Sequence, residues 1–375
     1  MKINNQLFYI CFGIALAIAV LLSGLETFET PATGETKITV LPQIVDQYGA
    51  TITSGYTSLE EVTLGGIKQW VLIRGADTSK PVLLFLHGGP GGAIMPWVDL
   101  FHTPFLEENF VVVHWDQRGA GKSYSPDLTV TNITPEKLVS DTLELSNMLR
   151  KRFDQDKIFL TGQSWGSALG FMTIAQDSSP FHAFIPTSER VAWNRSLTMG
   201  FDWAIEQTQI NGDTEILAKL KAIEPFDPLS EADLDVQREA LEYYQGGDLY
   251  TPGLWDTYLS YVMDGKSPYY TKSELEDYFP GLDLSSAAIE VPEIIGNYDL
   301  FRSFPKADIP VHFIVGSNDY NTPADLAFEY YEFLDAPEKS FTRINNAAHM
   351  VLWDQPMAWA KALVKIKNTT LLLSL

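Results

Sequence analysis

The stretch Lys157-Ile158-Phe159-Leu160-Thr161-Gly162-Gln163-Ser164-Trp165-Gly166 runs from an apolar segment straight into Gly-Gln-Ser-Trp-Gly. Leu169, Phe171, Met172 and Ile174 follow at helical spacing. The segment therefore reads as strand, tight turn and helix. Glycines at both ends of the pentapeptide permit a strained bend that lifts the serine hydroxyl above a sheet. The plainer reading, a serine that merely caps a helix, is disfavoured by a strand before it and a helix after it.

Working outward, continuous apolar runs recur at 82–86, 110–114, 158–160, 183–185 and 311–315. Runs without alternation are typical of strands covered on both faces, as in a parallel sheet. Helical segments separate them. The clearest opens at Thr134-Pro135-Glu136, with a capping residue, a proline in the first turn and an acid at the helix's positive end. Leu138, Leu143, Leu145, Met148 and Leu149 give that helix an apolar face as far as Arg152. Alternating strand and helix predicts a mainly parallel α/β sheet. Residues 37–80 alternate instead, as in Lys68-Gln69-Trp70-Val71-Leu72-Ile73, and predict antiparallel hairpins. Between about 190 and 305 the rhythm breaks into helix and loop dense in Trp, Tyr and Phe, the pattern of an inserted lid. The expected organisation is 1–28 anchor or signal, 29–80 linker and antiparallel strands, 81–189 first part of the core, 190–305 helical cap and 306–375 second part of the core.

The 375 residues, 45% of them hydrophobic, suffice for one large domain or a core with an inserted subdomain. With 26 basic and 48 acidic residues the formal charge is −22. That sign argues against nucleic acid or anionic lipid as a partner, because phosphate-binding surfaces need positive charge. Residues 7–25 form a 19-residue uncharged run after Lys2 and before Glu26, Glu29 and Glu35. Its length approaches a membrane span, and no small-x-small cleavage pattern follows Leu22 well. The expectation is a single uncleaved N-terminal anchor with the rest of the chain outside, the alternative being a cleaved signal and a secreted or periplasmic protein. The only cysteine, Cys11, lies in this run, so the expected exported part has no disulfide.

An exposed serine needs a base to take its proton. On a strand-turn-helix elbow of this type the partners follow in the order serine, acid, histidine. Of six histidines only His312 and His349 follow the cap. His312 falls inside the strand 311–315, where a satisfied core histidine is the better account. His349, in Asn345-Asn346-Ala347-Ala348-His349-Met350, follows the last strand in a small polar loop and is the candidate base. The acid should leave the end of the preceding strand, as Asp319 in Gly316-Ser317-Asn318-Asp319 does. Asp325 and Asp335 read as helix-surface residues, and Asp308 points to the wrong end of its strand.

His87-Gly88-Gly89-Pro90-Gly91-Gly92 follows the strand 82–86 directly. Bare backbone there suits an oxyanion hole, whose second donor is the amide after the nucleophile, that of Trp165.

Three ordered motifs, "HGGPGG", "DQRGAGKS" (116–123) and "GQSWGS" (162–167), make the chain resemble the proline iminopeptidase group of the α/β-hydrolases, a serine peptidase family. The resemblance covers most of 60–190 and 306–365. It implies an α/β-hydrolase fold with a cap, oxyanion donors Gly89 and Trp165, and a structural role for the Asp116-Gln117-Arg118-Gly119 turn as an ion-paired loop. In that group cap glutamates hold the substrate's free amine. The nearest matches are Trp255-Asp256, which keeps a shorter acid, and Ile295-Gly296-Asn297-Tyr298, which lacks one.

Residues 190–305 carry 21 acids and 8 bases, which would favour a cationic amine, though an acidic protein has an acidic surface anyway. Three functions are then weighed. The first is a Ser164/His349/Asp319 aminopeptidase acting on short peptides through an acyl-enzyme, with Asp256 as amine ligand. The second is a carboxylesterase or small-amide hydrolase on the same machinery. The third, a non-catalytic membrane-tethered binding module, is disfavoured by the complete set of motifs. The expected partner is a small-molecule or short-peptide substrate, and the chemistry asks for no metal or cofactor.

Overall fold

Strand β3 (Val82–Leu86) is buried along its whole length, as its unbroken apolar sequence demands. In the computed structural model, which describes residues 40–227 and 230–373, β3 lies inside an eight-stranded sheet of order β1-β2-β4-β3-β5-β6-β7-β8. The strands are β1 (Tyr56–Leu64), β2 (Ile67–Gly75), β4 (Val111–Asp116), β5 (Ile158–Ser164), β6 (Phe181–Glu189), β7 (Val311–Gly316) and β8 (Lys339–Ile344). β1–β2 and β2–β4 pair antiparallel, and every other neighbouring pair is parallel. The alternating stretch at 68–73 is β2, and the Gly65-Gly66 turn joins it to β1.

Among the described residues, nine helices of at least eight residues are labelled: α1 (Pro135–Arg152), α2 (Trp165–Gln176), α3 (Trp193–Asn211), α4 (Thr214–Ala222), α5 (Glu231–Tyr243), α6 (Leu254–Met263), α7 (Tyr278–Ile289), α8 (Ala324–Phe333) and α9 (Pro356–Leu373). Side chains alternate along the strands, so each face of the sheet feeds its own core. Val82, Leu84 and Leu86 pack with Val113, Leu160 and Phe313 under α1, α2 and α8. Leu83 and Phe85 pack with Val112, Phe159 and Ile185 under α9. At about 25 cal/mol per Å² of apolar surface, these two layers supply most of the driving force for folding. α1 starts where its sequence says it should. The Thr134 hydroxyl accepts from the Lys137 amide, Pro135 opens the first turn, and Arg150, Lys151 and Arg152 face the negative end.

The segment between β6 and β7 is helical, as its sequence indicates. The chain leaves and returns side by side. Ala192 and Asp299 form a bridge, the Trp193 amide donates to the Tyr298 carbonyl (3.2 Å) and the Leu300 amide to the Val191 carbonyl (2.9 Å). α3, α4 and α5 enclose a small core of Phe201, Ala204, Leu220, Ala240 and Leu241. α6 and α7 instead join the main core through Tyr258, Val262, Tyr278 and Leu282.

The anchor or signal expected over 1–28, its Cys11 and the tether up to residue 39 lie outside the described residues. Among the described residues no helix is long and apolar enough to cross a membrane.

Candidate active site

Ser164 ends β5 and stands immediately before α2 with φ 55° and ψ −118°, a backbone conformation rarely adopted by a non-glycine residue. The flanking glycines make the bend possible by close approach. A Cβ on Gly166 would sit 2.0 Å from the Leu86 carbonyl oxygen, and one on Gly162 would sit 2.1 Å from the Gly166 carbonyl oxygen. The elbow foreseen from the sequence is therefore a packing necessity.

His349 lies in the loop after β8, and Asp319 in the turn after β7; both are buried. His349 Nδ1 is 3.0 Å from Asp319 Oδ2. Thr322 completes this pair: its amide donates to Asp319 Oδ1 (2.7 Å), and its hydroxyl donates to Asp319 Oδ2 (2.8 Å) and lies 3.1 Å from His349 Nδ1. Burial by itself would lower the imidazole pKa, but Asp319, followed by Asp248, outweighs it and holds His349 above its ordinary value. The His349 carbonyl is fixed from below by the Ser188 hydroxyl (2.6 Å) and Gln163 Nε2 (3.4 Å).

The glycine-rich loop after β3 comes over the same point. Gly89 has φ +108°, a conformation open to glycine, and its amide finds no protein acceptor among the described residues. The Trp165 amide opens α2 and so has no acceptor within the helix. His87 holds the loop to the neighbouring turn, with Nδ1 2.9 Å from the Gly88 carbonyl and Nε2 accepting from the Gln117 amide (3.1 Å). Burial lowers its pKa to about 4, so it serves as a neutral strut. In that turn Arg118 donates twice to Asp141, through Nε and Nη2, each at 2.8 Å.

Ser164, His349 and Gly89 line one cavity of about 70 Å³. The helical insertion supplies its other walls, with Trp193 and Leu197 of α3, Gln237, Leu241 and Glu242 of α5, and Asp248. Arg190 also reaches it, stacked on the Trp193 ring at 4.7 Å and 3.5 Å from Glu290. Asp248 is held above the ordinary carboxylate range by burial, against the pull of His349. Part of Glu242 faces solvent, yet the loss of hydration in the wall, followed by the charge of Asp248, raises its pKa too.

Asp256 does not join them. It is exposed in the first turn of α6 and does not line the cavity, so the acid after Trp255 lies away from Ser164. The acids that do face Ser164, Glu242 and Asp248, were missed. The sequence offers only a Gly246-Gly247 turn ahead of Asp248, with no hint of what that turn touches. Thr322, Ser188 and Arg190 were missed for the same reason. His312 hydrogen-bonds Ser340 Oγ at 2.9 Å within the sheet, Asp325 pairs with Arg343 (2.6 Å) and Asp308 with Lys306 (3.1 Å), all apart from the cavity.

A family profile described as "Serine aminopeptidase, S33" matches residues 77–210. The probable aminopeptidase YbaC of Bacillus subtilis is 29% identical over 309 residues, 81% of this chain and 94% of that protein. A probable proline iminopeptidase of Leptolyngbya boryana is 40% identical over 95 residues, 25% of this chain and 27% of that one. The crystal structure of the Mycobacterium smegmatis proline iminopeptidase superposes with a TM-score of 0.60 at 18% identity, covering 84% of this chain and all (100%) of the other. At that identity the match speaks for the fold. With the motifs and relatives beside it, the chain has the α/β-hydrolase fold, is similar to the proline iminopeptidase group, and is an enzyme.

Proposed function

We propose that this enzyme is a serine aminopeptidase acting on short peptides, with Ser164 as nucleophile, His349 as general base and Asp319 as the acid that orients it. The observation that carries the reading is convergence on one cavity: the strained Ser164, the Asp319-bound His349 and the carboxylates of Glu242 and Asp248 all face it or support it. Ser164 Oγ attacks the carbonyl carbon of the first peptide bond while His349 Nε2 takes its proton. The amides of Gly89 and Trp165 stabilise the oxyanion, each donor being worth about 10²–10³ in turnover. His349 then protonates the leaving amine, and water activated by His349 hydrolyses the acyl-enzyme. Glu242 and Asp248 take the place intended for Asp256 and meet the substrate's free ammonium. The insertion 190–305 acts as a cap that leaves room for the N-terminal residue alone.

A second reading, an esterase or small-amide hydrolase, is favoured by one observation. Of the two positions that match the family's amine ligands, one is exposed (Asp256) and the other is a glycine (Gly296). An assay of alanine-, leucine- and proline-naphthylamides beside p-nitrophenyl acetate separates the two. Amide turnover that disappears on acetylating the amine supports the aminopeptidase; ester turnover alone overturns it. Ser164→Ala should abolish labelling by a fluorophosphonate, and full labelling of that variant would remove Ser164 as nucleophile.

The uncharged run 7–25 supports a further proposal, that one N-terminal helix tethers the chain with the enzyme outside the cytoplasm. N-terminal sequencing of the membrane fraction tests it. A start near residue 25, or a wholly soluble enzyme, would favour the cleaved alternative.

A further inference from the structure

The cap meets the catalytic loops through Trp203, whose ring stacks on Tyr320 at 4.0 Å, and through the short segment Gln245–Asp248, three consecutive carbonyls of which are acceptors. Gly246 accepts from the Tyr320 amide (2.9 Å), Gly247 from the His349 amide (3.2 Å) and Asp248 from the Met350 amide (2.8 Å). The donors belong to the turn that carries Asp319 and to the loop that carries His349. The two catalytic loops are thus hung on the cap, with the His349 carbonyl held separately from below by Ser188.

The middle bond has a particular feature. The carbonyl of Gly247 and the amide N–H of Asp248 belong to the same peptide group. Its carbonyl receives the His349 amide, and its N–H donates to Glu242 Oε1 at 2.6 Å. A peptide group is planar, so whatever orients the N–H orients the carbonyl opposite it. Gly247 precedes that peptide and has the freest backbone of any residue type, so the peptide can rotate unless an acceptor holds it. A carboxyl oxygen accepts whether or not the group is ionised, and Glu242 approaches so closely that a Cβ on Gly247 would sit 2.2 Å from Oε1.

We infer that Glu242 is a positioning residue for His349, acting through the Gly247–Asp248 peptide. It sets the height and tilt of the base against Ser164 whether or not the substrate carries an amine. This inference rests on His349 being the base and is independent of the amine-binding role given to Glu242 above. Loss of the acceptor frees the peptide, releases the His349 amide and lets the imidazole drift from the serine.

The test uses the full-length enzyme and p-nitrophenyl acetate, which has no amine to bind. E242A and the longer E242M, neither of which offers a comparable acceptor, should each lose about tenfold or more in kcat with KM changed less than about threefold, the cost of a small misplacement of a catalytic group. E242Q keeps an oxygen acceptor and should recover most of that loss. On alanine-naphthylamide all three variants should also raise KM. Circular dichroism and the thermal midpoint confirm that each variant is folded, and either non-acceptor variant can carry the test alone. Ester kcat within twofold of wild type in E242A or E242M overturns the inference. Equal losses in E242A and E242Q overturn it as well, because charge rather than the acceptor would then be responsible. H349A assayed alongside tells the two levels apart: if it retains ester turnover, the assignment of the base fails.

Discussion

At the scale of single residues, His349 makes a pH-dependent prediction. As the proposed base it must be neutral to accept a proton, and its pKa is raised above the ordinary imidazole value by Asp319 and Asp248 despite burial. The rate on p-nitrophenyl acetate, as kcat/KM, should therefore rise with pH through a midpoint above the ordinary histidine value of about 6.5. D319N removes the first of the raising influences, so the midpoint should fall, and turnover should drop by about 10⁴-fold as the tautomer is lost. A pH profile of both proteins checks this. Glu189 makes a second prediction. The Ser167 hydroxyl has one proton, donated to the Ser164 carbonyl, yet Ser167 Oγ also lies 3.0 Å from Glu189 Oε1. Burial outweighs that bond and holds the Glu189 pKa far above the ordinary 4.5. An acid whose pKa is raised on folding stabilises the fold less as pH rises above its unfolded value. E189Q should thus be at least as stable as wild type at pH 8, by denaturant melting, with any advantage fading below pH 4.5. E189A, which removes one bond to Ser167 and leaves a void at a buried position, should be less stable by about 1–3 kcal/mol. Ser164, His349 and Asp319 were legible in the sequence because each is a reactive residue type at a strand end, where local pattern shows. Glu242 and Asp248 were not legible. Their place depends on where a cap turn lands after tertiary folding, and no period or spacing encodes that.

At the scale of elements, the strands were readable because a strand covered on both faces can tolerate few polar residues, and the helix over Pro135–Arg152 because its cap, first-turn proline and charges agree. The β5–α2 elbow is the least forgiving junction. G166A would force a Cβ against the Leu86 carbonyl, which belongs to the neighbouring strand and cannot yield. We expect that variant to lose roughly 3 kcal/mol or more, or to fold without activity, as overpacked sites do. A denaturation midpoint and a fluorophosphonate label together read the two outcomes. A stable, fully labelled G166A would mean that the elbow is looser than its contacts indicate.

At the scale of the whole molecule, a net charge of −22 opposes compaction. Ion pairs such as Arg118–Asp141 are buried and little affected by salt, whereas the excess surface acids repel one another through water. Raising ionic strength from about 0.01 M to about 0.15 M shortens the screening length severalfold and should raise the thermal midpoint by a few degrees. A fall would mean that attractive surface pairs dominate. The adjacency of the strand-like segments at Ala192 and Asp299 has a different consequence. Because the insertion begins and ends at neighbouring points, it has the geometry of an exchangeable cassette, one that recombination could replace without stretching the sheet. The carbonyl of Gly247 limits that freedom, since any replacement must offer an acceptor of its own to the His349 amide. Descent within this lineage should therefore vary the cap's helices widely while holding one short stretch of main chain in place, and chimaeras that graft a foreign cap without it should fold but turn over slowly.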